Sequence, residues 1–164
     1  MKYIVSCLII GILLSIFISC TPQGEDPAKM VQAANELDKK FIEAYNNRDA
    51  NAIMETYWNS PDLVNFPPGM MESRGWGATK KAMQEEFANA PDFVLELTES
   101  NNVAVGDAVI GYGKWRYTIT IPESEPMIVE GRYSDVKAKR DGKWVYILDH
   151  ASAPLPPPPG KIDM

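Results

Sequence analysis

The chain has 164 residues, with 16 Lys and Arg against 22 Asp and Glu, a formal net charge of −6, one histidine and two cysteines. That length suits one domain with its own core. An acidic balance without any basic run argues against nucleic acid as a partner, and one histidine with so few cysteines argues against a zinc site; no metal or cofactor is expected.

Taken in order, residues 1–19 read as a removed signal. Lys2 gives a positive start, and Ile4 to Ile18 is an apolar run too short for a bilayer, which needs about 20 residues. It ends Ser19-Cys20-Thr21-Pro22. A small residue before cysteine at the end of such a core resembles a bacterial lipoprotein signal, although Phe17 stands where leucine is usual. The resemblance implies lipidation at Cys20, anchoring to a membrane and an extracytoplasmic place in the cell envelope, periplasmic or surface. Without the signal, 145 residues remain with a formal charge of −7. Cys7 then leaves and Cys20 carries lipid, so neither a disulfide nor a cysteine nucleophile is available.

Residues 20–26 form a polar tether and 27–152 the domain. Asp26-Pro27 is a helix start, with Asp as cap and Pro at the first helical position. Met30, Ala34, Leu37, Phe41 and Ala44 or Tyr45 recur at helical spacing to about Asn47. Asp49 caps a second, shorter helix carrying Ile53, Met54, Tyr57 and Trp58, and Leu63 to Phe66 is a short strand. Gly75 precedes a third helix with Trp76, Met83 and Phe87 on one side. From Asp92 the pattern is strand throughout: a first strand from Phe93, then Ala108 to Ile121, Met127 to Arg140 and Trp144 to Ser152. Gly111 and Gly113 imply a bend, a bulge or a close approach. Asp141-Gly142 predicts a type I′ hairpin. Alternation along the last strand places Trp144, Tyr146, Leu148 and His150 on one face and Val145, Ile147 and Asp149 on the other. Residues 153–164 are a proline-rich tail. The order predicts an α+β fold, a curved antiparallel sheet with three N-terminal helices packed on its concave face.

The ordered set Arg48-Asp49, Leu63-Val64-Asn65-Phe66, Pro68-Gly69, Arg74-Gly75, Gly113-Lys114-Trp115, Gly131-Arg132-Tyr133 and Asp141-Gly142-Lys143-Trp144 resembles the nuclear-transport-factor-2-like superfamily in its SnoaL-like branch, over about residues 28 to 152. The resemblance implies a cone-shaped sheet closed by helices around a pocket, often in dimers. It covers ketosteroid isomerases, polyketide cyclases, scytalone dehydratase and many non-catalytic binding modules, so fold does not fix function. The positions matching the isomerases' tyrosine donor and aspartate base are Phe41 and Phe66, which can neither donate a hydrogen bond nor take a proton.

His150 and Asp135 are the candidate general bases. Each has a plainer alternative: a structural histidine at a strand end, and an outward aspartate sharing its face with Lys137 and Lys139. Trp58, Trp76, Tyr112, Trp115, Tyr117 and Tyr133 are candidate pocket walls for a flat, apolar ligand, and Arg132 or Arg116 a clamp for an anionic group. The leading expectation is a membrane-tethered module binding a small apolar or amphipathic molecule as a homodimer. The alternatives are an isomerase-, dehydratase- or cyclase-type enzyme using His150 or Asp135, and a structural dimerisation module.

Overall fold

The computed structural model describes residues 24–154. The expected signal, the expected lipidation site at Cys20 and most of the proline-rich tail lie outside the described residues. Helix α1 (Pro27–Asn46) begins where Asp26 accepts a hydrogen bond from the Ala28 amide, with Pro27 at the first helical position. Its buried stripe runs through Met30, Ala34, Leu37, Asp38, Ala44 and Tyr45. Helix α2 (Ala50–Thr56) starts on Asp49, whose carboxylate accepts from the Asn51 and Ala52 amides. It stops one residue short of Tyr57, which is extended and bridges to Tyr146, so Tyr57 and Trp58 are not helical as expected.

Strands β1 (Val64–Phe66) and β2 (Ser73–Arg74) precede helix α3 (Trp76–Asn89). Four long strands follow: β3 (Phe93–Val105), β4 (Ala108–Ile119), β5 (Met127–Arg140) and β6 (Lys143–Ser152). They form one six-stranded sheet in the order β2-β1-β6-β5-β4-β3. The long strands are antiparallel neighbours, but β1 lies parallel to β6, so the sheet is mixed rather than purely antiparallel. That pairing sets Asn65 beside Asp149 and Phe66 beside His150. Asp141 and Gly142 both have positive φ, 50° and 78°, as a type I′ turn requires.

The main core joins Leu37, Phe41 and Tyr45 of α1, Ile53 and Met54 of α2 and Met83 and Phe87 of α3 to Leu95, Trp115 and Tyr146 of the sheet. The helices therefore cover one face. Two bulges decide which strand residues meet them. In β3 the register shifts between Leu97 and Glu99, and in β6 opposite Val136 and Lys137, where Ile147 is the extra residue. Each reverses the alternation beyond it. Asp149 and Ala151 consequently share the helix-covered face with Tyr146, and His150 is turned to the outer one, which corrects the alternation read from the sequence.

The two glycines of β4 mark close approaches. A Cβ on Gly111 would lie 2.5 Å from both Asp135 Oδ1 and Lys137 Nζ. One on Gly113 would strike the Glu99 carbonyl at the β3 bulge.

Candidate functional site

Between the helices and the sheet lies a cavity of about 340 Å³, within the range of small-molecule sites, roughly 300–1,000 Å³. Phe41, Leu95, Leu97, Trp115, Tyr117 and Val129 are among its walls, and Pro67, Pro68, Gly69 and Met70 border it from the loop after β1. Its polar groups are Asp38, Tyr133, Tyr146, Asp149 and Asn65, with Glu86 of α3 on the helix side.

Beneath that polar floor is a network built from four elements. Lys137, fully buried, places its Nζ 2.9 Å from Asp38 Oδ1, 2.8 Å from Asp135 Oδ1 and 2.8 Å from Asn102 Oδ1, to which it donates. Asn102 donates in turn to Asp38 Oδ2 at 2.7 Å, and the Tyr146 hydroxyl donates to Asp38 Oδ1 at 2.5 Å. The ammonium also stands 5.1 Å from the centre of the Tyr146 ring. Tyr57 donates to Asp149 Oδ2 at 2.5 Å, and Tyr45 to Glu86 Oε1 at 2.5 Å. Asp135 Oδ1 is buried, and Lys137 is its ion-pair partner.

Burial dominates the protonation of these groups. It pushes the Asp135 carboxyl up to about 7, against the opposing pull of Lys137. Burial likewise raises Asp149 against the Tyr57 hydrogen bond, and Glu86 against that from Tyr45. The Tyr57 and Tyr146 hydroxyls are held well above the ordinary range, first by burial and then by the neighbouring carboxylates Asp149 and Asp38. Asp135, Asp149 and Glu86 thus hold their protons more tightly than in water, and the phenols stay protonated.

Of the residues singled out from the sequence, Trp115, Tyr117 and Tyr133 border this cavity. Trp58 and Trp76 border a separate open groove with Arg140 and Lys143; Trp76 Nε1 donates to the Met54 carbonyl, and Arg140 lies over Trp58. Tyr112 is 46% exposed on the outer face, and Arg132 is exposed. Arg116 forms a surface pair with Glu130 at 2.8 Å, so no arginine borders the cavity as an anion clamp. His150 is exposed on the outer face, its ring 6.1 Å from that of Phe66 and its Nδ1 3.4 Å from Ser134 Oγ. It is absent from the cavity because the Ile147 bulge rotates it away. Asp135 is 3% exposed and sits with Lys137 behind the floor rather than beside the cavity. Lys137 accompanies it inward, so the lysine did not mark an outward face. Of the two positions the resemblance marked, Phe41 borders the cavity and Phe66 does not; Asn65, one residue earlier, does.

Asp38, Tyr57, Glu86, Lys137, Tyr146 and Asp149 were not singled out. One signal was present: Asp38 falls four residues after Ala34, inside the apolar stripe of α1, where a carboxylate needs a partner.

Residues 39–147 match the family described as SnoaL-like domain. No curated protein matches the chain at a significant level. Among solved structures, a nuclear-transport-factor-2-like protein of unknown function from Pseudomonas putida superposes with a TM-score of 0.71 at 21% identity, covering 80% of this chain and 91% of that one. A nuclear-transport-factor-2-like superfamily protein from Salmonella enterica gives 0.71 at 18%, covering 82% and 98%. A proposed dehydratase of that family from Streptomyces avermitilis gives 0.70 at 16%, covering 80% and 100%. At these identities the structures speak for the fold alone. The chain belongs to the SnoaL-like domain family, with the nuclear-transport-factor-2-like fold.

Proposed function

We propose that the domain binds a small, mainly apolar molecule with one polar end in the 340 Å³ cavity, and that it works outside the cytoplasm, tethered through lipid on Cys20, as a homodimer. The observation that carries the binding reading is the lining of that cavity. Its walls are mainly aromatic and aliphatic, and Asp38, Tyr133, Tyr146 and Asp149 are among the few hydrogen-bonding groups, with Glu86 on the helix side. Apolar walls supply affinity, and a few fixed polar groups orient the ligand.

The test is ligand protection of the full chain against heat, using apolar ketones, aromatic alcohols and aromatic amines. At least one should raise the melting temperature, and Val129→Phe, which fills the cavity, should abolish the effect while the variant stays folded. If nothing protects the unaltered chain, the cavity has no ligand role and a structural dimer becomes the better reading.

A second reading, an isomerase-, dehydratase- or cyclase-type enzyme, rests on Asp149. Its carboxyl borders the cavity, and burial raises its affinity for a proton, as general acid–base work near neutral pH requires. The dehydratase wording of the Streptomyces neighbour points the same way. In that case Asp149→Asn lowers turnover at least a hundredfold with binding kept.

The tether reading rests on the apolar run ending Ser19-Cys20. Cys20→Ala should move the protein out of the membrane fraction. Retention there would mean that the apolar run is an uncleaved anchor.

A further inference from the structure

The charges around the cavity are unequal. Among the described residues, Asp38, Glu86 and Asp149 border it, and no lysine, arginine or histidine does. Asp135 adds a fourth carboxyl behind the floor. Lys137 directs its ammonium at Asp38, Asp135 and Asn102, so it is already committed. Among the described residues, four carboxyl groups in or behind this aromatic-lined space thus share one ammonium. Tyr45 and Phe41 stand 5.5 Å apart, Phe41 and Tyr146 5.7 Å, and Trp115 and Tyr117 5.4 Å, so the walls offer several π faces.

We infer that the cavity selects an organic cation, an apolar molecule ending in an ammonium group, rather than a neutral or anionic one. This rests on the cavity being a binding site. Three features converge on it. An ammonium supplies the positive charge that the carboxyl groups lack. It donates hydrogen bonds, and carboxylates only accept them. Its remaining surface is attracted to the negative faces of aromatic rings. An anionic ligand meets Glu86 and Asp149 with no cation beside them, and an Asp38 whose partner Lys137 is already shared with Asp135. A neutral alcohol keeps the apolar contacts and loses the charge.

Burial leaves Asp149 and Glu86 holding protons more tightly than in water. An arriving ammonium stabilises the ionised form and so opposes that hold. The groups facing the ligand that take part in this balance are Asp38, Glu86 and Asp149, with Asp135 and Lys137 behind them and the hydroxyls of Tyr45, Tyr57, Tyr133 and Tyr146 as donors.

The test compares three molecules of one shape on the full chain by titration calorimetry at pH 7: 3-phenylpropylamine, 3-phenylpropan-1-ol and 3-phenylpropanoate. The amine should bind at least tenfold tighter than the alcohol, and the acid should not saturate. Asp149→Asn and Glu86→Gln should each narrow the amine-to-alcohol ratio severalfold. Glu86 lies at the edge of the core on α3, so its variant remains informative if Asp149→Asn folds poorly. An alcohol or acid that binds as tightly as the amine overturns the cation reading and leaves the binding site standing. If none of the three binds, the cation reading falls, and the binding site falls with it only if no ketone, alcohol or amine protects the chain against heat.

Discussion

Asp135 and Lys137 are both essentially removed from water, and dehydrating a charge is offset only by close partners. Lys137 has three oxygen partners. At Asp135 burial outweighs the pull of Lys137, with Asp149 and Asp38 adding to it, and lifts the carboxyl from 3.8 to about 7. Folding thus tightens this group's hold on its proton. The native chain keeps the proton between about pH 4 and 7, where the unfolded chain has released it. The resulting stabilisation is complete at low pH and is lost as pH rises through 7. A shift of that size corresponds to about 4 kcal/mol. Asp149 acts in the same direction. Urea unfolding from pH 4.5 to 8 should show Asp135→Asn gaining on the unaltered chain by a few kcal/mol as pH rises across this window. A constant difference would mean that Asp135 keeps its ordinary proton affinity.

At the scale of elements, local chemistry was legible and strand facing was not. Asp26 and Asp49 cap their helices, Asp141-Gly142 turns the last hairpin, and Gly111 and Gly113 sit at close approaches, each for a reason present in the residue itself. Facing depends instead on an unbroken period of two. Both strands that break it do so without glycine or proline to announce the break: Thr98 lies at the β3 shift and Ile147 at that in β6. Beyond Ile147 the reading inverted, which put His150 forward and left Asp149 aside. Lys137 misled for another reason. Lysine is almost never buried without a partner, so it reads as a surface marker. Its partners Asp38 and Asn102 come from α1 and β3. No local pattern joins those three positions.

At the scale of the molecule, the outer face of the sheet carries an apolar row across five strands. Val103 pairs with Ile110, Ile110 with Val136, Val136 with Leu148, and Leu148 with Val64. Val103 and Ile110 are 47% and 41% exposed, and Ile128 on the same face is 61% exposed. A continuous apolar surface of this kind fits a partner with the same surface, and a symmetric pair of sheets would cover it. Sedimentation of residues 26 to 164 should give twice the monomer mass, and Ile110→Glu should give the monomer. A monomer of the unaltered chain at high micromolar concentration sinks the homodimer.

The missing side chain at Gly111 has a consequence for how the protein comes into being. The space it leaves is filled by charge from the next strand, and that charge is answered by residues from α1 and β3. A nascent β5–β6 hairpin must keep Lys137 in water, because its dehydration becomes tolerable only when Asp38 and Asn102 arrive. Helix α1 carries the complementary problem, a carboxylate in the middle of its apolar stripe whose charge partner is Lys137. Helix and sheet are thus tied by groups that leave water together. A chain without β5 would leave Asp38 with no ammonium to answer it.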